Sequence, residues 1–435
     1  MSEKQNFSRR DFIQLMGGSS AAVAAGNLFP KASENPLARP ELYSDTSAPG
    51  VPGYVKEVEE PTYTKDVVGE IERFDERARA FSKARYVDGD GFYEKFYEMY
   101  PDLKGESEAL APYRDPAPVR AERGGVSLTG YLLANMAFSP IGVLSSDEIC
   151  EPGVSPNKLT SEADASDMAH RVKEFSKALG AYDVKIGPLK EEYIYSHRGA
   201  RVFEGSDWGE PIDLNHPTAI SIAYAQDFER MNNNTGGAHN VEVGKIYTQM
   251  ATLAISLANA IAGMGYSARA HHVGLYEILQ VPVAIDAGLG ELSRAGYCLH
   301  PELGLNYRLV TVTTDMPLAY DKPVDFGIQD FCENCLICAE NCPPGAISTG
   351  EKKERNGVMV WDLDEVACLA FWGENGTGCS TCHTACPWSK RSGDWLHDLS
   401  RYYAASGGGA GNLMAALDRT FYGDYESTPT PDWLK

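Results

Sequence analysis

The sequence predicts a mixed α+β/α/β protein, a layered core followed by a small cysteine-rich domain. Apolar runs of helical and strand period alternate between residues 160 and 320. Of the ten cysteines, all but Cys150 and Cys298 fall between residues 332 and 386. The 435-residue chain is long enough for two or three domains with sizeable cores.

The composition is that of a folded protein, with 43% hydrophobic and 23% charged residues and no low-complexity tract. A formal charge of −22 argues against nucleic acid and anionic lipid as partners, since both call for basic patches. The cysteines are too few and too clustered for a disulfide scaffold of this size.

From the N-terminus, "SRRDF" pairs Arg9 with Arg10, and an uncharged run follows from Phe12 to Ala25. That run is shorter than the ~20 apolar residues of a membrane-spanning helix. It reads as a twin-arginine export signal over residues 1–35, which gives an expected location on the outer face of the cytoplasmic membrane, peripherally attached. A cytosolic helix with an accidental arginine pair is the alternative, although Gly17 and Gly18 weaken such a helix. Residues 36–158 form an N-terminal arm and cap region. There Val67, Ile71, Phe74, Ala78 and Phe81 recur with helical period, and "GFYEKFYEMYP" is a second helix stopped by Pro101. Prolines from Pro112 to Pro118 mark a connection.

Residues 159–320 hold the layered core. "SEADASDMAHRVKEFSKALGA" is an amphipathic helix with Ser161 as N-cap. "DVKIGPL", "TAISIAYAQ" and "YRLVTVTTDMPL" are strands, the second central. "VEVGKIYTQMATLAISLANAIAGMGY" is a long helix closed at Gly263 or Gly265. The cysteine domain spans residues 321–395. The glycine-rich link "SGGGAGN" and a last helix, "LMAALDRTFYGDY", lie in residues 396–435.

The first cysteine run is Cys332-x2-Cys335-x2-Cys338-x3-Cys342-Pro343, the bacterial ferredoxin spacing for iron–sulfur clusters. Three thiolates on one tight loop can reach different irons of a cube, while the fourth cysteine leads away to the other cluster. The second run, Cys379-x2-Cys382-x3-Cys386-Pro387, lacks its leading cysteine, and Cys368 upstream is read as the substitute. The ligand sets then cross over. Cys332, Cys335, Cys338 and Cys386 hold one [4Fe–4S] cluster, and Cys342, Cys368, Cys379 and Cys382 hold the other. Paired C-x2-C also makes zinc sites, but zinc does not demand two C-x3-C-P tails. A three-iron cube at the second site is also open. Cys150 and Cys298 read as small core residues. Two clusters in series form an electron wire, and more than half of the chain precedes them, more than a bare carrier needs.

The sequence resembles the corrinoid-dependent reductive dehalogenases, respiratory enzymes that remove halide from organohalides. The similar pieces are "SRRDF", "VKEVEEPTYTKDVVGEIERFD", "IAGMGYSARA", "AIDAGLGELSRAG", "YRLVTVTTDMPL" and the double cluster motif with its displaced cysteine. They are scattered, in order, over nearly the whole chain. The resemblance implies a nitroreductase-like core binding a base-off, cobalamin-type corrinoid, followed by the ferredoxin-like two-cluster domain. It also implies replacement of halogen by hydrogen in a chlorinated ethene, alkane or phenol, with electrons passing through the clusters to a cob(I)alamin-type centre. The implied partners are a small integral membrane anchor protein, a quinone-linked or other membrane electron donor, and the twin-arginine export machinery.

In this family a tyrosine donates the proton and a cation stabilises its anion. Position implies Tyr247 with Arg308, while Tyr224 and Tyr266 are rivals and a plain core aromatic is the structural alternative. Gly288 and Gly290 would let backbone approach the nucleotide tail of the cofactor, with Glu291 beside them. His271 and His272 are candidates for contact with substrate or cofactor, against ordinary polar loop histidines. The arm lacks the paired tryptophans of many relatives, so Tyr54 or another segment would supply a substrate-lining aromatic. There is no Asp-x-His-x-x-Gly pattern for a cobalt-ligating histidine. Two alternatives stand beside this reading, a cytosolic epoxyqueuosine reductase-like corrinoid enzyme and an exported two-cluster electron carrier.

Overall fold

The computed structural model describes residues 53–159, 164–200, 207–390, 401, 404–405, 410–422, 425 and 427–435. The expected export signal, Ser161 and the link "SGGGAGN" at residues 406–412 lie wholly or mostly outside them. Residues Gly50–Lys435 form one unit, and the expected boundaries at 158 and 320 fall inside it.

The arm carries α1 (Phe92–Met99), opened by Gly91 and followed by a 3-10 turn that begins at Pro101, as expected. The helix expected around Val67–Phe81 is not formed. Only short turns occur at Thr62–Asp66 and Glu76–Ala78, with a single helical turn at Ala80–Lys83. The reason is tertiary hydrogen bonding. The amides of Val68 and Gly69 donate to the Gly357 carbonyl. The Arg73 guanidinium donates to the carbonyls of Ile194, Tyr195 and Ile212. A helix would withdraw the two amides, and move the Arg73 side chain, from the body they strap. Next comes α2 (Leu128–Met136), capped by Ser127, which accepts from the Gly130 amide.

The core begins with α3 (Ala165–Ala178). Its N-cap is Asp164 rather than Ser161, because the Asp164 carboxylate accepts from the amides of Ser166 and Asp167. Then follow β1 (Asp183–Pro188), β2 (Thr218–Ala225), α4 (Gly237–Gly263), β3 (Ala268–His271), α5 (Gln280–Asp286) and β4 (Tyr307–Thr314). The sheet order is β1-β2-β4-β3, and every neighbouring pair is antiparallel. The α+β half of the expected class therefore describes this sheet. β2 is central and buried almost throughout.

Strand alternation sorts the two faces. Val184, Ile186, Ile220, Ile222, Val310 and Val312 share a core with Met250, Leu253 and Leu257 of α4. Ala223, Tyr307 and Leu309 turn the other way, towards α5 and its Ala284 and Ile285. Arg308 has the parity of Val310 and so lies on the α4 face.

The cysteine domain holds α6 (Ile328–Cys335), α7 (Ile337–Glu340), the hairpin β5 (Lys353–Arg355) and β6 (Val358–Val360), α8 (Glu365–Glu374) and α9 (Thr381–Ala385). Leu336, with φ of 60°, turns the chain between Cys335 and Cys338. The last helix, α10 (Ala410–Tyr422), packs Met414 and Ala415 into the same core as Phe331, Trp361 and Trp388. Among the described residues no single helix is long and apolar enough to cross a membrane.

Candidate active site

The thiols fall into two groups. Burial, and then the neighbouring thiols Cys338, Cys335 and Cys386, push Cys332 far up. Burial and Cys386 push Cys338 up to about 12. In the second group, burial and then Cys379 and Cys342 push Cys368 up to about 12. Cys382 is raised by burial and then by Cys379, Cys338, Cys368 and Cys342. Cys382 thus has Cys338, of the first expected set, among its neighbours as well as Cys379, Cys368 and Cys342 of the second. A cavity is lined by the first set together with Arg294, Leu305 and Phe331. Thiolates packed this way need cationic charge among them, which cluster iron supplies. Among the described residues, no group of three or more His, Cys, Asp or Glu closes on a single-ion position.

Cys150 and Cys298 are core residues as expected, both buried. Cys150 Sγ lies 3.3 Å from His272 Nε2.

Tyr247 projects from α4, and the Arg308 guanidinium carbon lies 5.7 Å from its ring centre. Phe138 packs edge-on against the same ring at 6.0 Å. The Tyr247 hydroxyl has no hydrogen-bond partner among the described residues. The rivals differ. Tyr224 donates to the Leu179 carbonyl at 2.5 Å, and Tyr266 to the Leu159 carbonyl at 3.2 Å. Tyr224 sits opposite Arg308 in the strand register, but its hydroxyl is thus engaged elsewhere.

Around this pair lies an aromatic wall. Tyr113, Tyr276 and Tyr297 each stand close enough to feel charge on the Tyr247 ring. Trp372 reaches the same region through Phe81, whose ring centre is 5.8 Å from it and 6.3 Å from Tyr113. Each of these rings keeps part of its surface accessible. Tyr297 also connects the wall to the thiols. Its hydroxyl is pushed up by burial, then by Cys382 and Cys368. It packs on His383 at 4.9 Å. Burial, with Arg308 nearby, holds His239 down at about 4 and His383 at about 3, so both are neutral beside that cation.

The other expected site residues lie elsewhere. His271 and His272 are wholly buried. His271 bonds Thr313 Oγ1 through Nε2 and accepts the Glu277 amide at Nδ1. His272 meets the Val273 carbonyl at Nδ1, and the Leu144 carbonyl and Cys150 at Nε2. Their ring nitrogens are occupied within the protein, which corrects the expectation of ligand contact. The glycine reading is corrected too. A Cβ on Gly288 would lie 2.1 Å from the Lys322 carbonyl oxygen, and one on Gly290 would lie 2.1 Å from that of Leu299. What approaches these glycines is the protein's own backbone. Glu291 accepts from Thr62 and from the amides of Phe326 and Ile328, so it ties the core to the cysteine domain. Tyr54 donates to the Pro301 carbonyl and packs on Trp388, in the cysteine-domain core, and does not join the Tyr247 wall.

Sequence reasoning missed Tyr113, Tyr276, Tyr297 and Trp372. They come from four separated segments, and none carries a local signal. His383 could have been found, since it directly follows Cys382.

Comparison with known proteins bears on both halves of the site. Residues 331–390 match the family model described as a 4Fe-4S dicluster domain, so the cysteine domain is a two-cluster [4Fe–4S] module. Over 288 residues the chain is 30% identical to the tetrachloroethene reductive dehalogenase of Dehalobacter restrictus, covering 56% of this chain and 51% of that one. It is 40% identical over 159 residues to the tetrachloroethene reductive dehalogenase of Sulfurospirillum multivorans, covering 35% and 31%. Among solved structures, it superposes on the catabolic reductive dehalogenase NpRdhA in complex with 3-bromo-4-hydroxybenzoic acid. The TM-score is 0.66 at 25% identity, over 85% of this chain and 49% of that one. The chain thus spans about half, or less, of the length of these relatives.

Proposed function

We propose, given that the chain belongs to the corrinoid-dependent reductive dehalogenase family, that it replaces halogen by hydrogen in an organohalide. The substrate class is a chlorinated ethene, alkane or phenol, and the role is terminal reductase of organohalide respiration. The observation that carries the reading is the Arg308 guanidinium over the Tyr247 ring, with Tyr297 an electrostatic neighbour both of that pair and of Cys382 and Cys368. It supports an electron relay and a proton donor serving one site.

The half-buried rings of Tyr113, Tyr247, Tyr276, Tyr297 and Trp372 fit a large flat macrocycle, which presents apolar faces and a rim for packing. When bound there, a base-off corrinoid supplies the reducing power that breaks the carbon–halogen bond. The chain's residues do the rest. The net change consumes two electrons and one proton, forms a C–H bond and releases halide. The cysteines would hold the clusters, which would supply electrons singly. The Tyr247 hydroxyl gives its proton to the carbon, and the Arg308 cation favours the phenolate left behind. Among the described residues no carboxylate forms an ion pair with Arg308, and His239 and His383 beside it are neutral. The aromatic wall excludes water, which would otherwise compete as proton source and screen Arg308.

The paired Arg9 and Arg10 support export by the twin-arginine route and a place on the outer face of the cytoplasmic membrane. A small integral membrane anchor protein would hold the enzyme there, and a quinone-linked or other membrane donor would feed the clusters. A cobalt assay on the anaerobically reconstituted chain tests the reading. One cobalt beside two clusters is expected, and clusters without cobalt would leave only an electron carrier.

A further inference from the structure

Arg294 is 2% exposed and precedes the first cysteine run by almost forty residues. Its side chain lines the cavity of the first thiol set. Nε donates to the Cys332 carbonyl at 2.8 Å. Nη1 donates to the carbonyls of Ser348 at 2.7 Å and Gly350 at 3.0 Å, and Nη2 to that of Glu333 at 3.2 Å. The guanidinium also lies 4.8 Å over the Trp361 ring. Every one of these partners is a neutral carbonyl or a ring, and no carboxylate forms an ion pair with Arg294 among the described residues. The charges it faces are those of Cys332, Cys338 and Cys335, and then Glu333.

A guanidinium remains charged at any ordinary pH. An occluded cation without an anion is costly. Here the compensating anion is the cluster itself, a cube of iron and sulfide carried by four thiolates. Other charges near this set are already matched. Asp418, which neighbours Cys335 and Cys386, pairs with Lys390 at 3.1 Å. Arg419 donates to the Cys335 carbonyl at 2.7 Å and pairs with Glu340 at 2.9 Å. The second set has a different surround, because Cys368 faces Asp364, which no cation pairs among the described residues, and Glu365, which meets Lys83 at 3.3 Å.

We propose that Arg294 is the counter-cation of the cluster held by Cys332, Cys335, Cys338 and Cys386, and raises its reduction potential above that of the second cluster. One-electron reduction adds one negative charge to the cluster. A fixed cation stabilises the reduced form more than the oxidised form, and acidic neighbours do the opposite. An electron would then rest preferentially at the Arg294 side, and the thiols beside Tyr297 would hold the cluster of lower potential. The inference rests on the two-cluster assignment and not on dehalogenation.

The test is a redox titration of the full, anaerobically reconstituted chain, with titanium(III) citrate as reductant and electron paramagnetic resonance as readout. Two separate midpoints are expected in the wild type. Arg294→Gln should move the higher one to more negative potential and leave the other in place, and Arg294→Lys should restore most of the shift. Two unmoved midpoints in Arg294→Gln, with both clusters present, would overturn the proposal. So would loss of the first cluster in both variants alike, which would make Arg294 a scaffold for the loop carbonyls. A wild type with no reducible cluster would overturn the cluster assignment as well, and iron and sulfide analysis separates that failure from the others.

Discussion

Arg308 places its guanidinium over the ring of Tyr247, with 5.7 Å between the guanidinium carbon and the ring centre. Two independent periodicities produce that approach. Alternation along β4 turns Arg308 to the face of Val310 and Val312, and the helical repeat of α4 brings Tyr247 onto the same core. A cation fixed there costs nothing to reorganise when a phenolate forms.

Tyr247→Phe removes the proton and keeps the ring. Turnover should fall by about 10²–10⁴-fold, the usual worth of a positioned acid, while iron and cobalt content stay at wild-type levels. Arg308→Gln should lower turnover in the same direction by a smaller factor, and Arg308→Lys should recover part of it. Halide release and metal analysis on the same preparations decide the matter. Full activity in Tyr247→Phe would move the acid elsewhere.

Cys368 stands with Cys379, Cys342 and Cys382. Cys368→Ala should therefore damage one cluster and spare the other, so that iron falls from about eight to between four and seven per chain, according to whether a three-iron cube survives. Two intact four-iron signals in that variant would remove Cys368 from the ligand set.

Gly288→Ala and Gly290→Ala test packing against ligand approach. Each new methyl would meet a carbonyl oxygen at 2.1 Å, and Gly288 also has a φ of +90°. The expected cost is about 1–3 kcal/mol or more, seen as a lower melting temperature in cofactor-free and loaded protein alike. A loss confined to corrinoid binding would reinstate the nucleotide-tail role.

Glu291 is almost wholly buried, and burial pushes its carboxyl up from 4.5 to about 7 against the three donors that meet it. The folded state thus binds this proton more tightly than the unfolded state. The stabilisation is complete below pH 4.5 and is lost as pH rises through 7. Relative to Glu291→Gln, which does not titrate, the wild type should lose on the order of 3 kcal/mol across that window. Anaerobic melting curves of both proteins from pH 5 to 8 measure the difference. A constant gap would show that the carboxyl stays ionised throughout.

What was legible in the sequence was what is local. Within each run the cysteines follow one another at short spacing, so spacing alone pointed to a two-cluster domain, and residues 331–390 match such a domain. The long apolar helix and the central strand were legible because burial on one or both faces leaves a period or an unbroken apolar run. The segment from Val67 to Phe81 misled, because its apolar residues recur as on a helix while its amides at Val68 and Gly69 donate to Gly357 and its Arg73 side chain donates to the carbonyls of Ile194 and Ile212. Asp164 took the N-cap because its carboxylate reaches two amides, which no pattern ranks above Ser161 in advance. His271, His272 and the Gly288–Glu291 turn look exposed and polar in one dimension but are enclosed by other segments of the chain, among them Leu144, Thr313 and Lys322. The aromatic wall and Arg294 depend on contacts between remote segments, and only the fold brings these together.

Halide release measures the central claim most directly. The chain, reconstituted without oxygen with iron, sulfide and a corrinoid, is given a strong reductant and a panel of chlorinated ethenes, alkanes and phenols. The account predicts one halide ion for each molecule of hydrogen-substituted product from at least one class, with turnover lost in Tyr247→Phe. Full cluster and cobalt content with no halide from any compound would contradict it.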